Sequence, residues 1–205
     1  MKLKKGLLIV LEGIDGSGKT TQARSLARRL RAAGVRTVRF REPSRGKWGR
    51  EIKRHARRAG SLAPEEELGL FLKDRRDNVE RNLRPALARR DVVVLDRYYF
   101  SSIAYQGARG LDPARIRRLN ERFAARPDLV IILDVGPETG LARISGRRTK
   151  DELFEREDYL ARVRAIFQGL RGPRFVHIDA RRPKRAVSRE IWAHVEPLLL
   201  LRVKA

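Results

Sequence analysis

From residue 13 to residue 20 the chain reads Gly-Ile-Asp-Gly-Ser-Gly-Lys-Thr. That spacing of glycines, lysine and hydroxyl suits one task, holding a row of phosphates. Glycines let backbone N–H groups approach phosphate oxygens with no Cβ in the way. The residues from Gly13 to Thr21 (Gly13, Ile14, Asp15, Gly16, Ser17, Gly18, Lys19, Thr20 and Thr21) are the candidate triphosphate cradle. Lys19 can reach the β- and γ-phosphates, and the Thr20 hydroxyl can ligate Mg²⁺. A second cluster, Asp96-Arg97, ends the apolar run Val92–Leu95. A carboxylate there can hold the Mg²⁺ of a bound nucleotide, usually through water, so Thr20 and Asp96 are the candidate metal ligands. Arg97 is the informative neighbour. ATPases that do mechanical work usually place a glutamate here to activate water. A cation instead suits a second phosphate in the same cleft, the one that accepts the transferred group. Lys19, Asp96 and Arg97 are thus candidate catalytic residues.

Such residues need a frame. The run Leu7–Leu11 feeds the glycine turn, and a helix expected near 19–33 begins inside it, with its free N–H groups aimed at the turn. Gly34 is placed to end that helix. Further strands are expected at Val35–Phe40, Val92–Leu95, Leu129–Leu133 and Phe175–Ile178, with helical patterns near 47–59, 65–89, 113–125, 138–145, 151–169 and 184–201. Strand–helix alternation with five apolar runs predicts an α/β fold, a five-stranded parallel sheet flanked by helices. Ligands of such sheets sit at the carboxyl ends of the strands. Charged groups follow the strands as that rule requires: the glycine turn, Arg41-Glu42-Pro43-Ser44-Arg45, Asp96-Arg97-Tyr98 and Asp179-Ala180-Arg181.

The 205 residues suit one domain, with no interdomain linker or repeat visible. No apolar run approaches the ~20 residues of a membrane span. The basic N-terminus is expected to lead into a first strand and not to be a signal peptide, because Glu12 and Asp15 interrupt the apolar run. There are no cysteines, and the three histidines are scattered, which excludes disulfides and cysteine-ligated zinc. A cytoplasmic location is expected. The formal net charge is +23. Nucleic acid is one reading of that excess. Yet 38 of the 48 basic residues are arginine and they are spread over the whole chain, so a specific nucleic-acid role is not favoured.

The linked motifs identify a resemblance over about residues 7–195. They are Glu12–Gln22, Arg41-Glu42-Pro43, Phe71 with Asp74-Arg75, Asp96-Arg97-Tyr98, Ala104-Tyr105-Gln106-Gly107, Pro127-Asp128-Leu129 and Phe154–Asp158. In this order and spacing they resemble the thymidylate kinases. The resemblance implies a three-layer P-loop kinase fold with a mobile lid at about 143–157. It implies transfer of the γ-phosphoryl group of ATP to dTMP, forming dTDP for dTTP synthesis, with Mg²⁺, and a homodimer. It also implies residue roles. The cradle and Arg143 would bind ATP, Arg143 packing on adenine. Asp15 would hydrogen-bond the acceptor's sugar. Arg45 and Arg97 would clamp the dTMP phosphate, beside Pro43. Phe71 would stack on thymine, and Arg75 would reach the base's O4. Tyr105 would stand against the 2′ carbon, and Ser101 and Gln106, on the same short helix, are further acceptor-side candidates.

Some members of that family carry a catalytic arginine within the phosphate loop; here its variable positions hold none. The cation is then expected from the lid, from Arg147 or Arg148. The chain also departs from the family pattern at Ser44–Gly49, at Leu153 and at Lys73. A P-loop kinase acting on another nucleoside monophosphate is the nearest alternative. A nucleic-acid-binding ATPase is the alternative from another class.

Overall fold

The computed structural model describes residues 3–56, 62–144 and 150–203, the side chains of 150–155 excepted. Five strands form one sheet: β1 (Leu7–Glu12), β2 (Thr37–Arg41), β3 (Val92–Asp96), β4 (Leu129–Asp134) and β5 (Phe175–Asp179). Their spatial order is β2-β3-β1-β4-β5, and every pairing is parallel. β1 lies between β3 and β4, with Leu7 opposite Val92 and Ile9 opposite Leu129. All residues of β1 and β3 are buried, as their unbroken apolar sequences require in a parallel sheet covered by helices. The carboxyl ends of β1, β2 and β3 therefore open side by side, where the chain reverses its winding direction about β1. The expected α/β architecture is found.

α1 (Lys19–Ala32) starts at the glycine turn and buries Ala23, Leu26, Ala27 and Leu30 at helical spacing. It ends as expected: Gly34 takes φ 73°, and the Val35 N–H returns to the Leu30 carbonyl at 3.0 Å. α9 (Lys184–Leu200) packs along α1. α2 (Lys47–His55) ends short of the expected 59; residues 57–61 lie outside the described residues.

The helix expected over 65–89 is continuous but not uniform. α3 (Pro64–Asn78) runs into a π turn at Val79–Leu83 and then α4 (Arg84–Ala88). Pro85 has no N–H to offer the Arg81 carbonyl four residues back, and the ladder widens just before it. Beyond β3 come α5 (Tyr99–Gly107), α6 (Pro113–Glu121), which Asp112 caps through the N–H groups of Ala114 and Arg115, α7 (Pro137–Ala142) and α8 (Lys150–Gly169). α5 packs on α6 and α8, and α3 packs on α2 and α5. Among the described residues no helix is long and apolar enough to cross a membrane.

Candidate active site

The turn after β1 closes tightly because α7 comes up against it. A Cβ on Gly16, which has φ 76°, would collide with the Gly140 carbonyl. Gly18, with φ 92°, is the N-cap of α1, so the free N–H groups of that helix face the loop. Lys19 folds inward. Its Nζ donates to the carbonyls of Gly13 at 2.9 Å and Ile14 at 2.7 Å, and to Ser17 Oγ at 3.3 Å. Burial and the nearby Arg97 charge pull the ammonium down to about 7, against the opposing pull of Asp15, Asp96 and Glu12.

β3 brings Asp96 beside this turn. Thr20 Oγ1 donates to Asp96 Oδ2 at 2.6 Å, while Asp96 Oδ1 is buried with no protein partner. Arg41, at the end of β2, stands 3.9 Å from Asp96 Oδ2. A hydroxyl and a carboxylate oxygen in contact, with one oxygen free, are the donor set of a hard divalent cation that keeps most of its waters. The pair expected to hold Mg²⁺ fits such an ion.

Arg97 takes a left-handed backbone, φ 70°. Its Nη2 donates to Asp15 Oδ1 at 2.5 Å and to the Tyr105 hydroxyl at 3.5 Å, and its Nη1 to Ser101 Oγ at 3.2 Å. The guanidinium lies 5.1 Å from the centre of the Tyr105 ring. Burial works against charge on Asp15, but Arg97, Lys19 and Arg156 hold its carboxyl below the usual range. Glu12 underlies the whole assembly. It accepts from the N–H groups of Tyr98 at 2.7 Å and Ser101 at 3.1 Å, and from Ser101 Oγ at 2.6 Å. Burial pushes its carboxyl up to about 7, in opposition to those donors and to Arg97.

Two cavities meet here. One, of about 510 Å³, runs over the loop from Asp15 to Gln22 and is closed by Arg143, Ala180 and Arg182. Both Nη atoms of Arg143 donate to the Ala180 carbonyl at 3.1 Å, which fixes the guanidinium at the rim. Gly13 and Ile14 do not line this cavity; their carbonyls hold Lys19 instead. The other cavity, of about 320 Å³, is walled by Phe71, Tyr105, Gln106 and Tyr159, with Pro43 and Ser101. Asp15, Arg41 and Arg97 line both.

Most acceptor-side expectations converge on this smaller cavity; Arg45 does not. It is exposed and faces a separate basin beside β2. Asp74 explains its placement. The carboxylate takes the Ser44 N–H at 2.7 Å and the Ser44 hydroxyl at 2.5 Å, and the chain then turns away into α2. Arg75 does reach the cavity wall, but its guanidinium is already engaged. Nε donates to Glu42 at 2.7 Å, Nη1 to Asn120 at 2.6 Å and Nη2 to Ser102 at 3.2 Å, all in a buried cluster. Burial pushes the Glu42 carboxyl up, against Arg75 and Asn78. Lys73 is accounted for outside the cavity: its Nζ and that of Lys47 each lie 4.7 Å from the centre of the Trp48 ring. Arg147 and Arg148 lie outside the described residues, as do the side chains of Leu153 and Phe154.

Some site residues carry no role in the sequence reading. Glu12 could have been found, since it is the acid that ends the first apolar strand. Glu67, which accepts from Gln106 at 2.9 Å, and Tyr159, whose hydroxyl donates to the Tyr105 carbonyl at 2.9 Å, arrive from distant helices and leave no local signal.

Comparison with known proteins agrees with this geometry. The family model for thymidylate kinase matches residues 11–191. A thymidylate kinase of Xanthomonas campestris pv. campestris (strain B100) is 47% identical over 199 residues, covering 97% of this chain and 87% of that protein. A probable thymidylate kinase of Archaeoglobus fulgidus is 45% identical over 196 residues, covering 96% and 98%.

Proposed function

The chain belongs to the thymidylate kinase family, and from that premise we propose which of its residues carry ATP-dependent phosphorylation of dTMP to dTDP. The carrying observation is that the loop cavity and the aromatic cavity share Asp15, Arg41 and Arg97. Two anionic substrates entering from the two sides meet at cations. An oxygen of the dTMP 5′-phosphate attacks the γ-phosphorus of ATP, the new P–O bond forms in line, and the β–γ bridging bond breaks, its electron pair leaving with ADP. The chain's residues position the substrates and neutralise charge; that is where the acceleration comes from.

In this reading the loop N–H groups, Lys19 and the N-terminus of α1 hold the ATP phosphates, and Arg143 closes over the base. Thr20 and Asp96 hold Mg²⁺, which when bound neutralises charge on the phosphate oxygens. Arg97 clamps the acceptor phosphate, with Arg41 in the position where Arg45 was expected. Asp15 orients the sugar, Phe71 and Gln106 meet the base, and Arg75 with Glu42 forms the wall behind it. The chain acts as one domain with a lid over about 143–157. A homodimer, and action in the cytoplasm, belong to the same proposal.

The deciding experiment is a panel of nucleoside monophosphates with ATP and Mg²⁺, scored for diphosphate formation. dTMP should give the highest kcat/KM; preference for another monophosphate would overturn the acceptor assignment.

Tyr105 is held from two sides, by the Arg97 guanidinium and, through its own carbonyl, by Tyr159. Tyr105→Ala should relax the preference for deoxyribose by about 1–3 kcal/mol, the scale of a single-group difference in a pocket. The check is the ratio of kcat/KM for dTMP and its ribo analogue; an unchanged ratio removes Tyr105 from the specificity argument.

The loop supplies no arginine, so the transition-state cation is assigned to Arg147 or Arg148. Changing both to alanine should lower kcat by about 10²-fold or more with little change in either KM, the pattern of an interaction made only in the transition state. Wild-type kcat in the double variant would move the role to Arg41 or Arg156.

A further inference from the structure

Beside β2 lies a third cavity, of about 860 Å³, larger than either substrate cavity. Arg24 reaches it from α1, Arg39 from β2, Arg45 from the loop after β2, and Arg81 from the π turn. Among the described residues no carboxylate pairs with any of these four guanidinium groups. Three further cations line the basin but are engaged: Arg41 near Asp96, Lys53 on the Ser44 carbonyl at 3.0 Å, and Lys47 over Trp48. Among the described residues Asp77 is the one acid in the lining. Like charges around one concavity repel, and a concave low-dielectric wall strengthens the field inside it.

Arg81 and Asn82 line the same cavity as Asp77 and Asn78, four residues earlier on the same helical face, and the π turn lies at this face. Turns of this kind recur at functional sites. An unpaired arginine fork facing a basin suits phosphate oxygens, which accept two N–H bonds from one guanidinium.

We propose that the basin beside β2 is a second anion site that takes a polyphosphate chain and, through Thr20 and Arg41, which line both it and the loop cavity, opposes binding of the phosphoryl donor. It goes beyond the proposed reaction, which uses none of Arg24, Arg39 and Arg81. The ligand is a run of linked phosphates, either inorganic or the tail of a nucleoside triphosphate.

Calorimetric titration of the full chain with inorganic tripolyphosphate tests it. Lys19→Ala weakens the loop, and binding in that variant that depends on the basin arginines reports the basin. Adding R24A, R39A and R81A should then weaken the surviving site about tenfold or more, the scale of lost charge-assisted contacts. The same three changes in the wild-type background should leave kcat with ATP and dTMP unchanged, which separates this proposal from the assignment of the reaction. A control of equal charge, R28A with R185A and R189A on the α1–α9 face, should change affinity less than about threefold. A nucleoside triphosphate that binds the surviving site more tightly than tripolyphosphate identifies the natural source as a nucleotide, and equal binding identifies an inorganic chain; both support the site. Loss of all binding on Lys19→Ala alone, or equal loss in the control, overturns it. So does a single-stranded oligonucleotide that binds the basin more tightly than either small ligand, because the occupant would then be nucleic acid.

Discussion

Replacing Lys19 with alanine should leave a folded protein that has lost nearly all phosphoryl transfer. The ammonium is the one loop side chain able to follow charge onto the bridging and γ oxygens. Removal of a single preorganised donor of this kind costs about 10²–10³ in kcat, or roughly 3–4 kcal/mol. The fold should survive because Lys19 is buried and its charge is disfavoured there: burial already pulls it down to about 7. The groups it leaves behind are not all orphaned, since the Ile14 carbonyl still accepts from the Ser17 N–H at 3.2 Å. Steady-state kcat and a thermal melt decide the matter together. A variant with wild-type melting and most of its kcat would remove the phosphate loop from the active site.

Arg97→Ala should reduce kcat/KM for dTMP by about 10²–10³, with a much smaller change in ATP affinity. Arg97 borders both cavities, but its hydrogen bonds are to Asp15, Ser101 and Tyr105, which all line the aromatic one. Its loss would also free the Asp15 carboxylate, leaving Lys19 and Arg156 as its nearby cations. Arg97→Lys should not restore activity, because one ammonium cannot span Asp15 and Ser101 as a planar fork does. Separate titrations of ATP and dTMP distinguish the outcomes. Equal loss for both ligands would assign Arg97 to the donor side.

These two residues were legible in the sequence because their signals are local. A buried strand followed by glycines, or by Asp-Arg, needs no knowledge of the rest of the chain. The sheet was legible for the same reason, and its strand ends moved by no more than two residues. Arg45 shows where locality stops. It directly follows Pro43 and Ser44 at the cleft, but Asp74, thirty positions on, pins Ser44 and sends the next residue elsewhere. Arg75 was expected to reach the base's O4, and the structure sets it in the wall of the aromatic cavity. Its engagement with Glu42, Asn120 and Ser102 depends on three different elements meeting, which periodicity does not encode. The π turn had a visible cause in Pro85, yet a 3.6-residue template reads straight through it. Tyr159 belongs to a helix expected from its pattern, but nothing local ties it to Tyr105.

The left-handed backbone at Arg97 sets thermal tolerance against turnover. A residue with a Cβ pays about 1–2 kcal/mol to sit at φ 70°, a cost that glycine avoids. The substitution that would most relax this position is therefore one that deletes the proposed phosphate clamp. Selection on melting temperature alone would drift toward glycine or asparagine here and lose the enzyme. Selection that includes turnover would keep the arginine and gather its stabilising changes elsewhere. Lineages adapting to heat should thus treat the position as closed, even though among the described residues it is one of two, with Arg90, where a non-glycine residue takes a left-handed backbone.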